Sequence, residues 1–236
     1  YEQWQRVSAE LGLPVTFELA TKAGSSFPDL LQQAETLVTT SVAEGFGLAF
    51  LEPWLVGRPV CGRDLPEITH DFRLQGIEFP WLYERFSIPV QWLGLAKILE
   101  RGGMGLRRFL AAYGRQCRDQ DFERLRKAWI HEDKVDFGRL DEAMQEEVLR
   151  RVAARPEEFS ELKPSTLPGF SNKEKVIETN RHHLQEKYSL KEYGKTILNC
   201  YQQTADSEIT PLGSLDGELL LDQFLAPERL SLLRVD

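Results

Sequence analysis

The sequence predicts an α/β fold, a parallel sheet flanked by helices, carrying a large helical elaboration. Three observations predict it. Helical and strand-like segments alternate over residues 1 to about 68, and such alternation makes successive strands parallel, with helices on both faces of the sheet. A Gly-x-Gly turn, Gly45-Phe46-Gly47, stands between two strand-like runs. From about 94 to 155 the apolar residues change to helical spacing.

The elements follow in order. Trp4, Val7, Ser8 and Leu11 share one helical face and end at Gly12, a residue type that terminates helices. Pro14 then introduces a strand-like Val15-Thr16-Phe17-Glu18-Leu19. Pro28 suits the first turn of a helix through Leu30, Leu31 and Ala34. Thr36 to Ser41 read as a strand, the glycine turn opens an apolar helix, and Pro59 to Gly62 read as the next strand. Residues 69 to about 100 are rich in aromatics, among them Phe72, Phe79, Trp81, Tyr83, Phe86 and Trp92; core and inter-element packing accounts for them better than an exposed stacking platform.

Further on, Phe109, Leu110, Tyr113 and Cys117 share a helical face, as do Phe122, Leu125 and Trp129, and then Leu140, Met144, Val148 and Val152. The arginines between them, Arg107, Arg108, Arg115 and Arg118, read most simply as a solvated face. A proline-rich loop is expected over 156 to 170. Ser171-Asn172-Lys173-Glu174 and Ser189-Leu190-Lys191-Glu192 both have the capping-box pattern and announce two helices. The run Glu218-Leu219-Leu220-Leu221 suggests a short docked element in the tail. The organisation read from this is 1–93, a Rossmann-like α/β region; 94–170, the helical elaboration; 171–203, two closing helices; and 204–236, a C-terminal tail.

Composition narrows the partners. The net charge of -8 argues against nucleic acid as the main partner, because phosphate backbones select basic surfaces. No apolar run approaches the ~18 residues of a membrane-spanning helix, and Tyr1-Glu2-Gln3-Trp4 does not read as a signal peptide. Cys61, Cys117 and Cys200 are far apart and make no zinc spacing; they read as buried thiols of a cytoplasmic protein. His182 and His183 are adjacent on a helix and diverge, so they make no metal site, and His70 reads as a packing or capping residue.

One stretch is built for chemistry. Glu44-Gly45-Phe46-Gly47-Leu48-Ala49-Phe50-Leu51-Glu52 frames the glycine turn with two carboxylates. Glycine lets backbone approach a ligand, and a strand, a glycine turn and a helix form the half-unit in which Rossmann-like folds hold phosphates. A carboxylate suits a diol because it accepts two hydrogen bonds. By spacing alone, though, surface or capping roles explain the two glutamates better.

The flanks extend the pattern. Phe27-Pro28-Asp29-Leu30-Leu31-Gln32-Gln33-Ala34-Glu35, Val38-Thr39-Thr40-Ser41, Glu44-Gly45-Phe46-Gly47-Leu48, Leu51-Glu52-Pro53, Gly57-Arg58-Pro59-Val60 and Leu65-Pro66-Glu67-Ile68 succeed one another in order. Together they resemble the donor-binding half of GT-B glycosyltransferases, specifically the retaining enzymes of family 4 with their E-x7-E block. Tyr188-Ser189-Leu190 and Tyr193-Gly194 are similar to that family's closing region, whose last helix crosses back to the N-terminal domain. Residues 94–170 lie outside the resemblance.

The resemblance implies a nucleotide-diphosphate sugar as substrate, no cofactor and no essential metal. It implies that Glu44 is the catalytic-site glutamate contacting the donor sugar. Gly45, Phe46, Gly47 and Leu48 would line sugar and diphosphate through their backbone, and Glu52 would hold the ribose. It also implies that the basic pair gripping the diphosphate, and an acceptor-binding N-terminal domain, precede residue 1, so that this chain is inactive alone. Lys22 and Arg63 are the nearest cations within the chain. Pro53 departs from the pattern and is expected to kink the motif helix. Two other readings stay open: another GT-B nucleotide-sugar enzyme, such as an epimerase or phosphorylase, and a non-enzymatic interaction domain working through its helices.

Overall fold

A computed structural model describes residues 1–162, 170–207 and 213–235. From the N-terminus the elements are α1 (Glu2–Glu10), α2 (Leu19–Ala23), α3 (Phe27–Gln33), β1 (Leu37–Thr39), α4 (Glu52–Leu55), β2 (Val60–Arg63), α5 (Pro66–Leu74) and β3 (Leu82–Tyr83). Then come β4 (Ser87–Pro89), α6 (Leu95–Ala111), α7 (Asp119–Trp129), β5 (Ile130–His131), β6 (Lys134–Asp136) and α8 (Glu142–Ala154). The chain ends with α9 (Lys173–Lys187), α10 (Leu190–Asp206) and α11 (Gly217–Phe224). They form two compact units, Glu18–Glu84 with Thr166–Leu215, and Tyr1–Phe17 with Arg85–Ser165 and Asp216–Asp236.

The first of these units is the α/β one. Its sheet is parallel throughout, in the order β1-β2-β3, with Leu37 opposite Val60 and Gly62 opposite Leu82. Helices flank it, as the alternation predicts. α3 starts at a capping box: Ser26 and Asp29 each accept a hydrogen bond from the other's backbone N–H, and Pro28 sits in the first turn. The core gathers Phe50, Trp54, Val60, Leu65, Ile77, Phe79 and Trp81 with Val176 and Leu184 of α9. The aromatics Phe79 and Trp81 are thus core residues. Asn180 on α9 is fully buried; its side-chain amide accepts from the Glu78 N–H and donates to the Glu78 carbonyl, both at 2.8 Å. Such a pair satisfies backbone groups that have no strand neighbour.

The second unit packs α6, α7 and α8 around Ile98, Leu106, Leu125, Trp129, Leu140, Met144 and Val148. The apolar faces read from spacing in α7 and α8 are the buried ones. The tail is part of this core: Leu225, Leu230 and Leu232 are buried in it, and the Arg139 guanidinium donates to the Leu230 carbonyl. α11 covers the run expected to dock, with Leu221 packed against the same cluster. This unit also holds an antiparallel sheet, β4-β6-β5, which helical periodicity does not announce. β5 and β6 join through Glu132 and Asp133, both at positive φ, the geometry of a tight hairpin turn.

Several expectations are corrected. Residues 15–19 form no strand; Glu18 takes a left-handed conformation ahead of α2, and Phe17 lies edge-on to the Tyr1 ring. The helix after the glycine turn is broken into a 3-10 turn, Leu48–Phe50, and the single turn of α4. Pro53 is the cause: it lacks an N–H and fits only a first turn. The buried Trp54 indole N–H donates instead to the Phe50 carbonyl at 2.7 Å. α9 is preceded by Asn172 in a left-handed conformation, with no side-chain cap, so Ser171 does not start it. Ser189 does cap α10, accepting from the Glu192 N–H. The loop expected over 156–170 lies partly outside the described residues; its described start, Pro156–Leu162, is a 3-10 helix. Cys200 is exposed, and Cys61 and Cys117 are only half-buried.

Candidate functional site

β1 ends at Thr39, and the chain leaves its carboxyl end through Thr40, Ser41 and the Glu44–Gly47 turn. In open α/β sheets ligands collect outside the carboxyl ends of the strands, so the motif stands on the expected edge. Glu44 is half-buried, and its Oε1 accepts a hydrogen bond from the Ser41 hydroxyl at 2.7 Å. That bond restrains one carboxylate oxygen. The S-x-x-E spacing of Ser41 and Glu44 is the sequence signal for this bond.

The two glycines differ. Gly47 is buried at φ +69°, and a Cβ there would come within 2.3 Å of Ile68 Cγ2 and 3.2 Å of Phe72 Cε2. Its missing side chain is required by packing from behind. A Cβ on Gly45 would meet no atom within 4 Å. Here the fold does not require glycine, and its effect is to leave the backbone open. The N–H groups of Gly45, Phe46, Gly47 and Leu48 donate to no backbone partner among the described residues. Phe46 is 87% exposed at the tip of the turn, and Leu48 is exposed beside it.

Glu52, the first residue of α4, lies on a cleft of about 350 Å³. Thr39, Thr40 and Ser41 form its polar side, and Phe27, Val38 and Pro53 are among its apolar residues. The structure therefore brings Glu52 and Ser41 to one cleft, and Ser41 in turn holds Glu44. Glu44 itself and the Gly45–Leu48 backbone are not among the residues lining that cleft. The single turn of α4 also supplies far less of a helix dipole than the continuous helix expected from sequence.

Lys22 lies exposed on α2, and Arg63 is half-buried on β2. His70 is exposed on α5. On α9 the His182 and His183 rings are 5.9 Å apart, with His182 against Glu186 at 3.3 Å. Among the described residues no group of three or more His, Cys, Asp or Glu is placed to hold a metal ion.

One cluster near the site escaped sequence reading. Asp64, which follows β2, is buried. It accepts from the Thr69 hydroxyl at 2.5 Å and from the Arg73 guanidinium at 2.9 Å, while Thr69 Oγ1 accepts from Arg73 Nη1 at 2.6 Å. The four-residue spacing of Thr69 and Arg73 was its available signal, since such residues share a helix face.

The fold and site together define an α/β protein with a parallel three-stranded sheet and a polar motif at its carboxyl edge. No protein-family model matches the chain, and no curated protein or solved structure does either. Among the described residues no helix is long and apolar enough to cross a membrane.

Proposed function

We propose that this chain carries the donor-binding half of a retaining GT-B glycosyltransferase of family 4, with a nucleotide-diphosphate sugar as its ligand. One observation carries the reading: Glu52 and Ser41 share the cleft beside β1, and the Ser41 hydroxyl holds Glu44. Two carboxylates with separate surroundings suit two sets of hydroxyls. Glu52 faces a cleft with apolar residues, fitting a ribose diol next to a base. Glu44 stands at the open turn, fitting the hydroxyls of the transferred sugar. The N–H groups of Gly45–Leu48 have no backbone partner among the described residues, which suits them to meet a diphosphate as it gains charge on leaving.

In the reaction the acceptor oxygen attacks the anomeric carbon on the face from which the diphosphate departs. The bond from that carbon to the phosphate oxygen breaks, the glycosidic bond forms, and the acceptor proton passes to the leaving diphosphate. The acceptor and further phosphate contacts come from a second domain. α10 accords with this: none of its residues is buried, and Leu190, Tyr193, Leu198 and Tyr201 are exposed.

Calorimetric titration with UDP, GDP, ADP and their glucose conjugates tests the reading. One nucleotide series is expected to bind. Glu52→Ala should weaken both the diphosphate and the sugar conjugate about tenfold or more, the loss of hydrogen bonds to a charged group. Glu44→Ala should weaken only the conjugate. No binding in any series, or equal binding by both variants and the native chain, would overturn it.

A further inference from the structure

α5 carries two neighbouring faces with different tasks. Ile68 and Phe72, four residues apart, point at Gly47 so closely that no side chain fits there. Thr69 and Arg73, each one residue further on, point at Asp64. A helix turns about 100° per residue, so both contacts depend on one helix rotation. Asp64 is a firm anchor for that rotation. Its N–H donates to the Tyr83 carbonyl at 2.8 Å, tying it to the sheet, and its two carboxylate oxygens receive Thr69 and both Arg73 terminal nitrogens. The Arg73 guanidinium also lies 5.4 Å from the centre of the Phe79 ring, over the core. Thr69 is fully buried, so its hydroxyl has no water to fall back on.

We infer that Asp64, Thr69 and Arg73 are positioning residues for the candidate site: by fixing α5 against the end of β2 they hold Ile68 and Phe72 behind Gly47 and so set the backbone of the Gly45–Leu48 turn. The inference rests on the reading of that turn as the donor site. α4, a single turn, gives the motif little rigidity of its own. Support from behind by α5 takes its place, since a site is only as well defined as the groups that hold it. Thr69 acts as the joint: its O–H donates to Asp64 while its oxygen accepts from Arg73.

Nitrogen-15 relaxation on the full chain tests it without any ligand. In the native protein the order parameters of Phe46, Gly47 and Leu48 are expected near about 0.85. Thr69→Val and Arg73→Lys should lower them towards about 0.6, while Leu37 and Val60 in the sheet keep their values. Thr69→Ser, which keeps the hydroxyl, should restore them. Unchanged order parameters at 46–48 in both Thr69→Val and Arg73→Lys overturn the inference. So does an equal fall at Leu37 and Val60, which marks a general role in folding. Titration with UDP, GDP and ADP adds the second arm: Thr69→Val should weaken the diphosphate that binds about tenfold. If the native chain binds none of them, the donor reading fails, and the order parameters still decide whether the clamp sets the turn.

Discussion

At the scale of single residues, Gly45 and Gly47 look alike in sequence and differ in the fold. Gly47 combines a left-handed backbone with contact from Ile68 and Phe72. Gly47→Ala should therefore destabilise the protein by about 1–3 kcal/mol, from backbone strain and overpacking together. Gly45→Ala places its methyl in open space and should change stability by no more than about 0.5 kcal/mol. If the turn binds a ligand through its backbone, the same methyl should still weaken nucleotide-sugar binding. Urea midpoints and calorimetric titration of the two variants check both halves. The turn was legible because its two glycines mark one, whereas Glu44 and Glu52 stood out only through the order of their flanks and not through their spacing. Ser41 and the Asp64–Thr69–Arg73 cluster were not. Ser41 reads as ordinary strand unless its S-x-x-E spacing to Glu44 is weighed, and the cluster joins residues whose partnership depends on how α5 is rotated.

At the scale of elements, legibility followed local chemistry. α3 was readable from Pro28, and its box of Ser26 and Asp29 confirms a start that needs no tertiary contact. α7 and α8 were readable because their apolar faces repeat over several turns. The β5–β6 hairpin was hidden, since its strands are very short and Glu132-Asp133 is not a customary turn pair. Both residues are at positive φ, 49° and 54°, where glycine meets no steric penalty. Asp133→Gly is thus expected to stabilise the chain by about 0.5–1 kcal/mol, despite the greater freedom it gives the unfolded state. A higher urea midpoint with an unchanged slope is the signature. A lower midpoint would show that Asp133 makes a contribution that its backbone strain does not reveal.

At the scale of the whole molecule, the least legible feature was that the last residues belong to a core begun far earlier in the chain. Leu230 and Leu232 carry no periodicity that names their partners, yet both are buried with residues of α6, α7 and α8. The tail is held from outside by ion pairs as well. Arg124 grips Glu228 through two bonds at 2.7 and 2.9 Å, and Arg115 pairs with Glu218. At the start of α7, outside the tail, Arg118 grips Asp121 through two bonds at 3.0 Å. The Arg118 guanidinium holds the Asp121 carboxyl below the usual carboxylate range. Burial pushes Glu228 up, but hydrogen bonds, above all from Arg124, outweigh it and the net shift is downward. Glu146, through Gln3 and Arg150, and Glu158, through Arg151, are lowered too. All four belong to the unit that contains the tail.

A carboxylate lowered in the folded state contributes stability that is present above its unfolded pKa, about 4, and lost as pH falls through the folded value. In that window the unfolded chain binds more protons, so stability must rise with pH. The melting temperature should then be nearly flat from pH 7 to 5 and fall below about pH 4. Replacing Glu228 by Gln and Asp121 by Asn removes two of the titrating groups and should flatten the acid limb while lowering the plateau. Melts of the native chain and the double variant between pH 3 and 7 check this. Identical acid limbs in the two proteins would mean that these two forks do not couple protonation to folding.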